Sequence, residues 1–262
     1  MTLRPATIAL ATALLAACNP PAEPPPAQPG SSAAPTPEVS ARSDRACQLA
    51  TDLEQQIRHF VSEPETARLM DVRAAWRQAH EQYRLVWSDY QQANLTLPQQ
   101  GDERDTLDAW PMLPGYLDQV PGYPKSGLVH ADLALSQSFL ALEHQSTDFH
   151  YLTRGFHPIE FLLWGEPAEA AADRIKHFVS PEPAPAIDAA QRRRLLLGLM
   201  AEDLTAQLQT LCSLSEQGRL SQALASQETV ITLTTVANDV DHGGWSQQPA
   251  ADGGAASEEA GQ

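Results

Sequence analysis

A histidine and a glutamate one helical turn apart are the first residues in this sequence whose types and spacing could do chemistry. His157 and Glu160 stand in the segment GFHPIEFLLWG, where Pro158 fits the first turn of a helix. Side chains three residues apart project from one helix face, and an imidazole with a carboxylate can bind iron, zinc or copper. On spacing alone, a helix-capping histidine and a glutamate that interacts with the helix dipole are the commoner explanation.

No familiar catalytic motif accompanies this pair. A helical zinc protease needs HExxH, which places two metal ligands and a general base on adjoining turns, and the sequence contains no HExxH. It also contains no G-x-S-x-G elbow, P-loop or dinucleotide fingerprint. A carboxypeptidase-like site would need a third histidine, and only His177 and His242 follow His157. We therefore expect no catalytic residue, and a metallopeptidase remains an open alternative.

The charge of the chain excludes several partners. Its 262 residues include 17 Lys+Arg and 33 Asp+Glu, a net charge of −16. Nucleic-acid binding needs basic side chains that replace the counterions of phosphates, and the longest basic run is Arg192–Arg194. Adhesion to an anionic membrane surface by charge alone is disfavoured for the same reason. We expect no nucleic-acid partner.

The N-terminus has the pattern of a targeting segment. Arg4 precedes the apolar run ATIALATALLAA, which is too short to span a bilayer and ends at Cys18. LLAAC resembles the lipobox of bacterial lipoproteins, which implies cleavage before Cys18 and acylation of that cysteine. An ordinary secretory peptide with a chance cysteine is the alternative. We expect a signal peptide over residues 1–17 and a lipid anchor that holds the protein on a membrane of the cell envelope, in or facing the periplasm.

Beyond this segment the composition changes from proline-rich to helical. Residues 18–41 contain many prolines and almost no large apolar side chain, which predicts a disordered, extended tether. From Leu69 to Tyr90 apolar residues recur at steps of three and four, the period of one helix face. Similar spacing predicts helices over residues 43–61 and 128–142 and a long helix after Pro185, with Leu197 to Leu211 on its inner face. A last helix is predicted over 215–236, whose ITLTT segment also fits a strand.

No segment shows sustained alternation of apolar and polar residues, so a sheet is not expected. The predicted fold is all-α, an antiparallel helical bundle. Residues 105–127, which we call the Trp-Pro loop, form a long connection with the sequence DTLDAWPMLPGYLDQVPGYPKSG. Long loops inside compact domains are usually functional or disordered. Residues 246–262 predict a disordered tail.

Cys47 and Cys212 are the cysteines that remain once Cys18 is lipidated. They fall on the first and the last long predicted helix, and thiols in an oxidising compartment tend to pair. Both also lie at or beside apolar positions, so two buried free thiols are the alternative. A disulfide requires the two Cα atoms to lie within about 7 Å.

Several segments together resemble one protein family. GFHPIEFLLWG resembles the Gly-x-His-x-x-Glu signature of the imelysin-like proteins, and LDAWPMLPGYLD with GYPKSGL resembles that family's Trp-Pro loop. AAWRQAHEQY resembles its early helix, and QRRRLLLGLMAEDL its Arg-Arg helix. The resemblance runs from about Arg42 to Leu214. It implies a bacterial envelope protein of two packed helical bundles, here over residues 42–245, linked to iron or haem acquisition and once classed with peptidases.

The sequence departs from the family pattern at three places. The Trp-Pro loop of the relatives usually continues with an acidic pair where this chain has Leu113 and Pro114, and their early helix usually has a glutamate at the position of Trp87. The C-terminal part is short, so we expect an abbreviated second bundle. Other acids or histidines, including Glu81, would have to complete a metal site. The candidate metal ligands are His157, Glu160, Asp118, Asp108 and His80.

Gly155 should let the chain turn into the helix at Pro158, so that His157 and Glu160 share a polar pocket with Asp108 or Asp118. The sequence thus predicts a lipid-anchored envelope protein that binds iron, zinc or copper in support of iron uptake, with another envelope protein as its partner. A helical interaction module without a metal site is the main alternative, and a metallopeptidase is the second.

Overall fold

The computed structural model describes residues 34–98 and 106–228, and every structural statement below concerns these residues. They are helical and contain no strand, which confirms the all-α prediction. Cys18, most of the predicted tether, the ITLTT segment and the predicted tail lie outside the described residues. The helices are α1 (Pro37–Ser62), α2 (Thr66–Gln92), α3 (Pro114–Leu117), α4 (Gln137–Glu143), α5 (Phe156–Trp164), α6 (Ala171–Arg174), α7 (Ala189–Leu211) and α8 (Leu214–Glu228).

Three long helices make the core of the bundle. α1 packs against both α2 and α7, and α8 covers the ends of α1 and α2. Each long helix buries the apolar face that its period predicts, and burying one large apolar side chain contributes about 1.5–3 kcal/mol. None of the described helices has the length and apolar character needed to cross a membrane. The buried face of α2 consists of Leu69, Val72, Trp76, Ala79, Tyr83, Val86 and Tyr90.

α1 begins six residues earlier than predicted, so residues 37–41 are helical and not part of the tether. Proline is tolerated at the first helical position because its missing N–H would have no partner there, and Pro37 occupies the start of α1. Val39 is buried against the bundle. The backbone N–H of Thr36 donates to Ser221 Oγ in α8 at 2.9 Å. These contacts explain why helix formation extends into the proline-rich segment.

The predicted helix over residues 128–142 is wrong. The chain instead makes a single 3-10 turn at Leu128–His130, bends, and forms the short α4, on which Leu142 is exposed. The reason lies in α7, where the Arg192 guanidinium donates to the backbone carbonyls of residues 128, 129 and 133 at 2.9–3.1 Å. Carbonyls that accept from this side chain face α7, and the segment does not continue as a helix.

α5 is buried on every side, since all nine of its residues are excluded from solvent. A buried helix must still find donors for its last carbonyl groups. Arg73 of α2 donates to Leu163 O at 3.1 Å, and Arg174 of α6 donates to Leu162 O at 2.8 Å. Two guanidinium groups therefore cap the C-terminal end of α5 from inside the protein.

Gly155 sets the start of α5 against the Trp-Pro loop. Its φ is 93°, a region that glycine enters without strain, and the next residue, Phe156, donates its N–H to Leu107 O at 2.7 Å. A Cβ atom on Gly155 would lie 2.4 Å from the same carbonyl oxygen. The backbone that carries Asp108 can therefore cross the start of α5 only because residue 155 has no side chain.

Cys47 of α1 and Cys212, directly after α7, form a disulfide in the structure. Their Cα atoms are 6.4 Å apart, inside the range that a disulfide allows, and 165 positions separate them in the sequence. The cross-link joins two of the three core helices near one end of the bundle. Of the two interpretations left open by the sequence, this geometry favours the disulfide.

We expect the Cys18→Ala variant, purified without reductant and then unfolded, to show no titratable thiol. Reduction should expose two thiols and lower the free energy of unfolding by about 2–4 kcal/mol, because the cross-link closes a long loop and restricts the unfolded chain. Thiol titration and denaturant unfolding, each with and without reductant, measure the two effects. Two free thiols per chain before reduction would establish the buried-thiol alternative.

Gly155→Ala should destabilise the protein by at least about 2 kcal/mol more than Gly122→Ala. Both glycines have positive φ, 93° and 86°, so both variants carry similar backbone strain. A Cβ atom at Gly122 would meet nothing within 4 Å, which makes it the matched control for the contact with Leu107. Urea unfolding of the two variants gives the difference. Equal losses would mean that the close approach of the loop does not constrain residue 155.

Candidate metal centre

Three side chains from separate parts of the chain meet at the start of α5. His80 Nε2 of α2 lies 2.8 Å from Asp108 Oδ1 of the Trp-Pro loop, and His157 Nε2 of α5 lies 3.2 Å from the same oxygen. One ligand-type atom from each residue lies within 4.8 Å of the other two. The structure therefore contains a candidate metal-binding triad of two imidazoles and one carboxylate, which we call the triad.

Glu160 lies behind His157 and is not a member of the triad. Its Oε2 is hydrogen-bonded to His157 Nδ1 at 2.9 Å, on the opposite side of the ring from Asp108. Both residues are almost fully buried, with exposed fractions of 1% for His157 and 0% for Glu160. A carboxylate in this position orients an imidazole and leaves its other nitrogen available for a metal.

Two buried polar atoms at this site lack a hydrogen-bond partner among the described residues. They are His157 Nε2 and Glu160 Oε1. Nε2 is close to Asp108, but the contact is not aligned as a hydrogen bond. Burying a polar atom without a partner is costly, and native structures keep such atoms mainly where an ion, a water or a function requires them. The unpartnered nitrogen is the atom that would bind a metal in the triad.

The charges of the triad depend on one another. Burial opposes ionisation of Asp108, but the imidazoles of His157 and His80 outweigh it and hold the pKa of this carboxyl well below its usual range. Burial would likewise lower the pKa of His157, yet the carboxylates of Asp108 and Glu160 raise it to about 9. At neutral pH His157 is therefore an imidazolium beside the Asp108 carboxylate, and a metal would replace its proton.

Aromatic rings hold the two imidazoles in place. The Trp76 ring lies 4.8 Å from the His80 ring, and Trp76 Nε1 donates to Phe156 O at 3.0 Å. The Trp110 ring lies 4.8 Å from the His157 ring. Trp76 and Phe156 are themselves fully buried in the core of the bundle. The spacing of four residues between Trp76 and His80 was the signal that both face the site.

Asp118, the fifth predicted ligand, is not brought to the triad. It is fully buried, accepts a hydrogen bond from Arg193 Nη2 at 2.8 Å and lies 3.6 Å from Arg174. Burial opposes its ionisation, but the hydrogen bonds from Arg193 and the nearby His130 and Arg174 keep its pKa well below the usual range. Of the two acids in the Trp-Pro loop, Asp108 thus lies beside two imidazoles and Asp118 beside two guanidinium groups. Only the first arrangement leaves a carboxylate that a metal could share.

The donor set of the triad fits a transition metal. Two imidazole nitrogens and one carboxylate oxygen suit iron, zinc or copper, and a carboxylate behind one histidine is the usual supporting contact. A metal bound there would interact with the Asp108 carboxylate and with His157 Nε2, which has no hydrogen-bond partner among the described residues. The triad supplies three ligand atoms, which leaves positions on such a metal open for other donors.

Comparison with protein-family models gives a match over most of the chain. The model of the family described as imelysin (Peptidase M75) matches residues 40–247, a range that contains the triad, Gly155 and Glu160. No curated protein matches the chain. A family match over most of a chain establishes membership, and this chain therefore belongs to the imelysin family.

Proposed function

We propose that this protein is a lipid-anchored protein of the bacterial envelope that binds a metal ion at the triad in support of iron uptake. The observation that carries the metal half of the proposal is the unpartnered, buried Nε2 of His157 beside Asp108 and His80. The iron half rests on the imelysin-like resemblance of the sequence, and an envelope protein in iron uptake would be the partner.

The position of Glu160 supports a binding role over a catalytic one. A general base must reach the water or substrate that it activates. Glu160 is fully buried and its Oε2 is held by His157 Nδ1, so its carboxylate is placed to orient a ligand. This is the contact that raises metal affinity in binding sites of this kind.

Calorimetric titration of ferrous iron, zinc and copper should show one ion bound per chain and little binding by His157→Ala. Glu160→Gln should weaken binding about 10–100-fold, because the ring of His157 loses its orienting carboxylate. Since the pKa of His157 is raised to about 9, binding releases a proton, and affinity should increase as the pH rises toward that value. His150→Ala is the control, because His150 pairs with Asp148 outside the triad.

Two results would contradict the metal proposal. Equal binding by wild type and His157→Ala would place the metal elsewhere. A folded wild type without any bound metal would favour the interaction module that the sequence left open. Peptide hydrolysis that Glu160→Gln abolishes would instead support the metallopeptidase alternative.

The lipid anchor is tested through Cys18. Acylated mature protein should partition into detergent, because burying an acyl chain contributes about 0.8 kcal/mol per methylene group. Cys18→Ala should appear in the soluble fraction or remain unprocessed. Membrane fractionation and the mass of the mature N-terminus measure this. Cys18→Ala that stays on the membrane at wild-type size would overturn the lipoprotein assignment.

A further inference from the structure

One face of α2 lines a groove, and His80 is the triad member among its described lining residues. Its volume is about 510 Å³, and His80 and Trp76 form part of its lining. Three residues before His80 and four residues after it stand Arg77 and Arg84, which also line the groove. Residues three and four apart on a helix are neighbours, with about 5–6 Å between their Cβ atoms. The two arginines therefore flank the one triad member that the groove reaches.

These two arginines differ from most others in the protein. Most described arginines bind a carboxylate or a backbone carbonyl, as Arg73, Arg174 and Arg193 do. Arg77 and Arg84 make no ion pair or hydrogen bond within the described part of the chain, and outside the groove Arg45 alone among the described arginines shares this property. In a chain with a net charge of −16, guanidinium groups without an acidic partner at one place are notable.

The groove also offers aromatic and apolar surface. Arg77 lies over the ring of Trp164, with its Cζ 5.1 Å from the ring centroid, so its planar group is held in place. Trp87 and Leu85 line the groove further along α2, and Leu85 is 47% exposed. Glu81 is the only acidic residue among the described lining residues. The lining thus has two positive charges, one negative charge and a tryptophan surface beside the triad.

Such charges discriminate between forms of a metal. A bare cation that approached along this groove would be repelled by Arg77 and Arg84, whereas an anionic complex would be attracted. Planar guanidinium groups bind carboxylates through paired hydrogen bonds. The triad supplies only three ligand atoms, so a chelator can keep its own bonds to the metal while His80, Asp108 and His157 occupy the remaining positions.

We infer that the groove binds the metal as an anionic carboxylate chelate, whose carboxylates contact Arg77 and Arg84 while its metal reaches the triad. This inference deepens the proposed metal-binding function and rests on it. It names the form of the ligand, a small metal complex with oxygen donors and net negative charge. The arginines act as binding residues for the chelator and are not ligands of the metal.

The test compares copper(II) alone with two copper complexes of equal denticity and opposite charge. Sites with nitrogen and oxygen donors bind copper most tightly among the divalent first-row metals, which makes copper a sensitive probe. Copper citrate is anionic and copper diethylenetriamine is cationic. Each chelator can hold copper through three donors, which leaves three positions of a six-coordinate ion for the triad. The wild-type full chain should bind the anionic complex roughly tenfold or more tightly than the cationic one, with an affinity that falls as salt is added.

Substitutions separate the groove from the triad. Arg77→Gln combined with Arg84→Gln should weaken binding of the anionic complex roughly tenfold, and leave binding of copper alone unchanged or stronger. If the double variant does not fold, Arg84→Gln alone can be used, because Arg84 is exposed. It should show part of the same loss of affinity for the anionic complex. Arg45→Gln is the matched control, since Arg45 is an exposed arginine of α1 without an ion pair in the described chain. It should behave as wild type.

The outcomes distinguish the two proposals. Wild type that binds copper alone but does not discriminate between the complexes overturns the chelate inference and leaves the metal site standing. The chelate inference is equally overturned if the double variant keeps its affinity for the anionic complex, or if Arg45→Gln loses as much. Wild type that binds copper in no form overturns both. If His157→Ala, which keeps both groove arginines, binds neither copper alone nor either complex, the complex in the wild type is bound through the triad.

Discussion

Because α5 is buried on every side, each of its unpaired backbone groups and both of its ionisable side chains must find partners inside the protein. At its C-terminal end the partners are guanidinium groups from α2 and α6. At its start they are the Leu107 carbonyl and the Trp76 indole. His157 and Glu160 bond to each other. These partners come from α2, α6 and the Trp-Pro loop, so the burial of one short helix constrains how those three elements are arranged around it.

The two acids of the Trp-Pro loop show how partners decide the role of a carboxylate. Asp118 is surrounded by Arg193 and Arg174, whose charges do not vanish near neutral pH, so its ion pair is permanent and structural. Asp108 faces two imidazoles, those of His80 and His157. Removing a proton from an imidazole creates a metal ligand, whereas a guanidinium offers no such exchange. Both acids are held ionised by neighbouring donors, and only one of them could serve a metal.

The arginines around the triad fall into two groups, those with a hydrogen-bond or ion-pair partner inside the protein and those without one among the described residues. Each buried arginine near α5 is used by a carbonyl or a carboxylate, so its charge holds the helix and the loop in place. Arg77 and Arg84 have no such partner in the described chain, and they lie where the groove meets His80. The arginine that supports α5 and the arginines that line the groove thus occupy different positions along α2. Arg73 donates to the C-terminal end of α5, and the following turns of α2 supply the groove residues Arg77 and Arg84.

Periodicity predicted the parts of this fold that depend on local spacing. The buried faces of α1, α2 and α7 follow directly from apolar residues at steps of three and four, because a helix face that meets a core must be apolar whatever covers it. The spacing of His157 and Glu160 likewise places them together without reference to any other segment. The same periodicity, without sustained alternation, predicted the all-α fold. The family resemblance, read from short motifs, added the link to iron acquisition.

Contacts across the chain decided the rest, and no local pattern contains them. The segment after Leu128 has helical spacing. Arg192, more than fifty residues later, donates hydrogen bonds to three of its backbone carbonyls, and the segment does not form a continuous helix. Asp108 and Asp118 are alike in sequence, and only packing of α7 and α5 against the loop assigns one to guanidinium groups and the other to imidazoles. His80 joined the site because α2 lies against α5. The role of a charged side chain depends on the charged groups packed against it, and only the tertiary structure determines which groups those are.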